Sequence, residues 1–138
     1  MANVTSIQKL VDSERNLVVK LTGTLDTSNQ ATTTLVDVSA LVDVNTTALN
    51  PQKPTSVAIK KVTYDVADGL TVNLFWDATT DEPIWSYYGR GCVDSTKYGF
   101  IQNNAGAGKT GDIVYNTTGY TLGTVTFSLV IEMIKQWS

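Results

Sequence analysis

The chain has 138 residues, 42% of them apolar and 17% charged, with a formal net charge of −3, no histidine and one cysteine. That length fits one domain with a core of its own, and the acidic balance with scattered Lys and Arg argues against a nucleic-acid-binding surface. Without histidine there is no Ser-His-Asp or Cys-His chemistry and the commonest zinc ligand is missing, while lone Cys92 has no disulfide partner and reads as a buried or tolerated thiol.

The opening MANVTSIQKL has neither a basic n-region nor a long apolar run, so no secretory signal is expected. No apolar stretch approaches membrane-spanning length, and the sequons at Asn3, Asn45 and Asn116 are then chance products of a Thr-rich chain. A first short strand is expected over about 3 to 11. In NLVVKLTGTL, Leu17, Val19, Leu21, Gly23 and Leu25 alternate with Lys20, Thr22 and Thr24, the period of a half-buried strand. Another short strand fits 33 to 42, and NTTALNPQKPTS reads as a loop.

In SVAIKKVTYDV, Val57 and Ile59 lie on one parity while Val62, Tyr64 and Val66 lie on the other. The switch predicts a bulge near Lys60 and Lys61. Asp68-Gly69 then turns the chain into LTVNLFWD, whose Leu70, Val72, Leu74 and Trp76 share a face; the two runs form the clearest hairpin signal. Further strands are expected at 84 to 89, 98 to 102 and 112 to 116. The last element, TVTFSLVIEMIKQW, sets Val125, Phe127, Leu129, Ile131 and Met133 on one side. Threonine and valine are abundant, helical periodicity is missing, and turns separate the strands, so the expected class is an all-β antiparallel sandwich or barrel, jelly-roll-like, in a single domain over 1–138. Met1 to Asp43 contains no aromatic residue, which fits either an arm or outer layer over 1–50 that packs partly on a neighbouring subunit or a plain aliphatic half of one sandwich.

Three stretches carry candidate chemistry. NNAGAGKTGD ends like a Walker A loop at Gly108, Lys109 and Thr110, but Asn103 stands where the first glycine belongs, and GDIVYNTTGYTLGTVTF is strand material where a P-loop needs a helix. VTFSLVIE, ending in Glu132, imitates a Walker B strand without the helices of a P-loop domain. Asp77, Asp81 and Glu82 lack the order of a calcium loop and read as an acidic turn; a pair of carboxylates for glycoside hydrolysis has no further support. Trp76 points to the core by parity. Trp85 and Tyr87 share a face opposite Tyr88, and these three with Trp137 are the expected interface residues, a sugar platform being the alternative. No catalytic, cofactor or metal site is expected.

The order IKKVTYDVADGLTVNLFWDATTDEPIW, then GAGKTGDIVYNTTG, then a long terminal strand ending in an acid and Lys135 resembles small all-β virion proteins of tailed bacteriophages, over roughly Thr55 to Gln136. The resemblance implies a structural role without catalysis or cofactor. It points to a decoration or cement protein bound to the major capsid protein, or to a neck or tail component. Such a protein would be a homo-oligomer without nucleic-acid or membrane partners, located in the virion after assembly in the host cytoplasm. A carbohydrate-binding sandwich is the alternative from a different class.

Overall fold

The computed structural model describes residues 3–41 and 53–136. Among the described residues nine strands follow one another: β1 (Val4–Asp12), β2 (Asn16–Leu25), β3 (Thr33–Val36), β4 (Ser56–Val66), β5 (Thr71–Trp76), β6 (Glu82–Tyr87), β7 (Arg90–Asp94), β8 (Ile113–Thr118) and β9 (Val125–Gln136). One sheet has the order β1-β2-β9-β4-β7 and the other β3-β8-β5-β6, with every pairing antiparallel. The pairs β2·β9, β3·β8, β4·β7 and β5·β6 are those of one long hairpin rolled on itself, and β9·β4 and β8·β5 complete the two sheets. This is the jelly-roll order of a β-sandwich, with β1 added outside β2.

Alternation decides which residues meet between the sheets. Leu17, Val19, Leu21 and Leu25 of β2 face Val72, Leu74 and Trp76 of β5 across a core that also takes Phe127, Leu129, Ile131 and Met133 from β9. Each such side chain contributes about 1.5–3 kcal/mol by leaving water. Gly23, on the same inward parity, leaves a gap into which Phe127 of the paired strand lays its ring: a Cβ there would sit 2.3 Å from the ring. Phe127 in turn meets Tyr115 of the opposite sheet at 6.5 Å between ring centroids.

The switch in β4 is a bulge. Ile59 pairs with Met133 and Lys61 with Glu132, so Lys60 is the extra residue. Val57 and Ile59 on one side of it and Val62 and Val66 on the other are all buried. The disturbed carbonyls are satisfied by Ser95, whose hydroxyl lies 2.7 Å from the Ile59 oxygen and 2.9 Å from the Lys60 oxygen and whose N–H also donates to Lys60.

Several expectations are corrected. β4 and β5, expected to pair as a hairpin, lie in opposite sheets, β4 between β9 and β7 and β5 between β8 and β6. The strand placed at 98 to 102 is instead a 3-10 turn, Thr96–Tyr98, followed by Ile101, which alone bridges to Ile59. β7 was missed because RGCVD has no alternating pattern; its Gly91 is needed where the Tyr64 ring crosses, since a Cβ would lie 2.7 Å from the Tyr64 hydroxyl. The strand expected over 33 to 42 stops at Val36, where Asp37 caps a short turn by accepting from the Ser39 N–H at 3.0 Å. At the far end of β9, buried Lys135 pairs with Asp12 and donates to the Ser13 carbonyl, tying the end of β1 to the central strand.

Gly23→Ala is expected to lower unfolding free energy by about 1–3 kcal/mol in chemical denaturation, because Phe127 must leave its position. Ser95→Ala is expected to cost about 1–2 kcal/mol in the same assay, because the hydroxyl that satisfies the bulge carbonyls is lost.

Candidate functional site

The GKT loop runs directly into a strand. Ile113 begins β8 two residues after Gly111, so Lys109 and Thr110 do not stand at a helix N-terminus. The Thr110 hydroxyl donates to Asp77 at 2.8 Å and its N–H donates to the Asp77 carbonyl at 3.2 Å. Gly111, at φ 88°, lies so close to β4 that a Cβ would fall 1.9 Å from the Thr55 carbonyl oxygen. The loop is thus a packed connection, as the strand-like sequence after it implies.

The neighbouring carboxylates hold loops. Asp81 accepts from the Ala78 N–H at 3.1 Å, Glu82 from the Asn104 amide at 3.2 Å, and Asp112 from the Val38 N–H at 3.0 Å. Among the described residues no three His, Cys, Asp or Glu side chains converge to hold a metal. Burial raises the Asp112 pKa, and the charges of Asp37 and Asp77 raise it further against the lowering effect of the Val38 hydrogen bond.

The aromatic cluster divides. Trp76 is fully buried with Leu70, Val72 and Leu74, as its parity predicts. Trp85 is 50% exposed and Tyr88 72% exposed. Tyr87 pairs with Val72 on the inward parity and is 1% exposed, packed at 5.0 Å against Tyr64; burial pushes its hydroxyl pKa up. Tyr87 is therefore a core residue and not a contact residue, a correction that follows from its strand partner. Trp137 lies outside the described residues. Cys92 is exposed on β7, the edge strand.

Sequence reasoning picked out no residue of β1 as a site, yet this strand has the most unusual surface. It lies at the edge of its sheet and is exposed along nearly its whole length. Val4, Ile7, Leu10 and Val11 make up half of the large apolar side chains exposed among the described residues, at 66%, 41%, 46% and 43%. Between β1 and β3 runs an apolar groove of about 150 Å³ lined by Ile7, Val19, Leu35, Val36 and Leu41. Lys9, the charge that would ordinarily guard an edge strand, bends across the groove to donate to the Ala40 carbonyl at 3.1 Å and lies 3.9 Å from Asp12. The outer edge of β1 pairs with no strand of the described residues. A signal existed in the sequence: Val4, Ile7, Leu10 and Val11 do not keep to one parity, so no single buried face could take them all.

The fold and this surface define a jelly-roll β-sandwich with an added apolar edge strand. No family model matches the chain, and no curated protein matches it. Among solved structures, the chain is similar over 94% of its length, and 93% of the other chain, to one described as the acidic stable capsid structure of Helicobacter pylori bacteriophage KHP30, at 15% identity and a TM-score of 0.42. At that distance the functional reading rests on the geometry above.

Because Asp112 keeps its proton more readily folded than unfolded, its contribution to stability grows as pH falls through the raised value and levels off below the ordinary 3.8. Asp112→Asn retains an acceptor for Val38 and removes the charge. It is expected to be at least as stable as the wild type at neutral pH, with a difference that shrinks as acid titrates Asp112, read from melting temperature against pH.

Proposed function

We propose that this chain is a structural protein of a tailed-bacteriophage virion, and specifically a decoration protein that stabilises the shell by bridging major capsid proteins. The observation that carries the reading is β1: a nine-residue edge strand with four exposed apolar side chains and an apolar groove along its inner side. An edge of this kind offers a row of backbone donors and acceptors together with side chains that gain by leaving water. The resemblance of Thr55 to Gln136 to small virion proteins supports the same reading, as does a jelly roll, an architecture used in viral shells.

The mechanism is assembly. β1 of one subunit pairs with a strand of its neighbour, extending the sheet and covering Val4, Leu10 and the groove. Burial contributes about 25 cal/mol per Å² of apolar area before the entropic cost of association is subtracted. Subunits related by closed symmetry would repeat the contact, making the protein a homo-oligomer located in the virion after assembly in the host cytoplasm. Trp85 and Tyr88, the exposed rings near the other edge, are second contacts for the capsid protein. A neck or tail component would use the same edge in fewer copies.

The exposure of Trp85 and Tyr88 also favours a second reading, a carbohydrate-binding sandwich. That reading requires glycan binding by the isolated protein and its loss on Trp85→Ala.

Val4→Lys combined with Leu10→Lys should dissociate the oligomer in analytical ultracentrifugation, or abolish binding to undecorated shells, while stability changes by no more than about 0.5 kcal/mol per site. Unchanged assembly by this variant would remove β1 as the contact and with it the basis for the proposal.

A further inference from the structure

Few strands of this protein could add to the open edge of β1. Among the described residues four strands lie at a sheet edge, β1 and β7 in one sheet and β3 and β6 in the other. β3 has four residues, β7 has five, and β6 carries Pro83, which brings no N–H to a ladder. β1 has nine residues with neither Pro nor Gly. Of these edges, only another β1 matches β1 in length.

Its sequence is also symmetric. VTSIQKL, Val4 to Leu10, reads apolar, polar, polar, apolar, polar, polar, apolar in either direction about Ile7. A half-buried strand alternates with period two and a fully buried one is apolar throughout, so neither accounts for this pattern. An antiparallel strand paired with its own copy reads the sequence in both directions at once, and reversal symmetry then sets like against like. The part of β1 that pairs regularly with β2, Val4 to Lys9, ends at a bulge at Leu10, so the symmetric stretch spans the unbroken part of the strand.

Charge and polarity select one register. Centred on Ile7, it sets Val4 opposite Leu10, Thr5 opposite Lys9, Ser6 opposite Gln8 and Ile7 opposite Ile7. No charge then meets a like charge. Lys9 meets a hydroxyl, and its ammonium is already drawn away to the Ala40 carbonyl and Asp12. Moved one residue in either direction, the register would set Ile7 against Ser6 or Gln8, with Val4 against Lys9 or Leu10 against Thr5. Ile7 pairs with the core residue Leu21 of β2 and lines the apolar groove, so at the centre of the favoured register the grooves of the two copies meet.

We infer that the partner of β1 is β1 of a second copy of this chain, antiparallel about a two-fold axis at Ile7, so that two five-stranded sheets become one. The inference rests on the reading of β1 as an assembly contact and adds to it the identity and register of the neighbour.

The test uses full-length protein in which exposed Cys92 is replaced by Ser and one new thiol is introduced, with glutathione disulfide as oxidant and non-reducing electrophoresis as readout. Ile7→Cys, on the axis, should cross-link with itself to a covalent dimer. Ser6→Cys and Gln8→Cys should cross-link little when each is alone and readily when the two proteins are mixed, because each faces the other. In analytical ultracentrifugation the Cys92→Ser protein should be a dimer, which Val4→Lys with Leu10→Lys weakens about tenfold or more. A monomer that still loses shell binding in that double variant would overturn the inference and leave β1 as a contact for the capsid protein. A dimer that the double variant leaves intact would overturn both readings, and so would a monomer whose shell binding it leaves unchanged. Cross-linking of Ser6→Cys with itself in place of Ile7→Cys would overturn the register.

Discussion

The extra residue at Lys60 is the constraint on which much of this structure depends. β4 lies beside β9, the long central strand, and must send apolar side chains inward along eleven residues. A regular strand with this sequence would bury either Val57 and Ile59 or Val62 and Val66, and turn the other pair to water. The bulge lets both pairs face the core and leaves Lys60 and Lys61 at the surface. Its cost is a break in the hydrogen-bond ladder, which Ser95 and Ile101 offset from the segment that leaves β7. That segment is thereby held against β4, and the chain that follows it, Gln102 and Asn103, lines a cleft together with Thr55, Lys109 and Gln136.

A jelly roll treats its two sides differently here. On one side β6 passes through Tyr88 and Gly89 directly into β7 of the opposite sheet. On the other, β1 extends the first sheet beyond β2, while the second sheet ends in β3, four residues long. Among the described residues nothing of comparable length faces β1, so its inward side chains line a groove and its outer edge pairs with no strand. The tie between Lys135 and Asp12 keeps this strand in register with the core. Breaking a buried pair of that kind leaves an uncompensated charge, so the position of the exposed strand is strongly specified even though its own side chains bury little.

Much of the fold was legible because alternation is a direct readout of burial. β2, β4, β5 and β9 were each recognisable, and the Lys60–Lys61 bulge was visible as a change of parity between Ile59 and Val62. Features set by contacts distant in sequence were less so. β7 has no periodic pattern because a Tyr64 ring crosses Gly91, and the segment near Ile101 looks extended but meets β4 only once. Tyr87 reads as a member of a surface cluster until its partner Val72 is known. The exposed face of β1 required knowledge of which strand ends the opposite sheet, and the cleft joins residues from Thr55 to Gln136, so neither could be read locally.

The central claim is that this protein works by being built into a particle. Quantitative mass spectrometry of purified virions and of separated heads and tails tests it most directly. The account predicts copies in the hundreds, found in the head fraction at a fixed ratio to the major capsid protein. Absence of the protein from purified particles would contradict it.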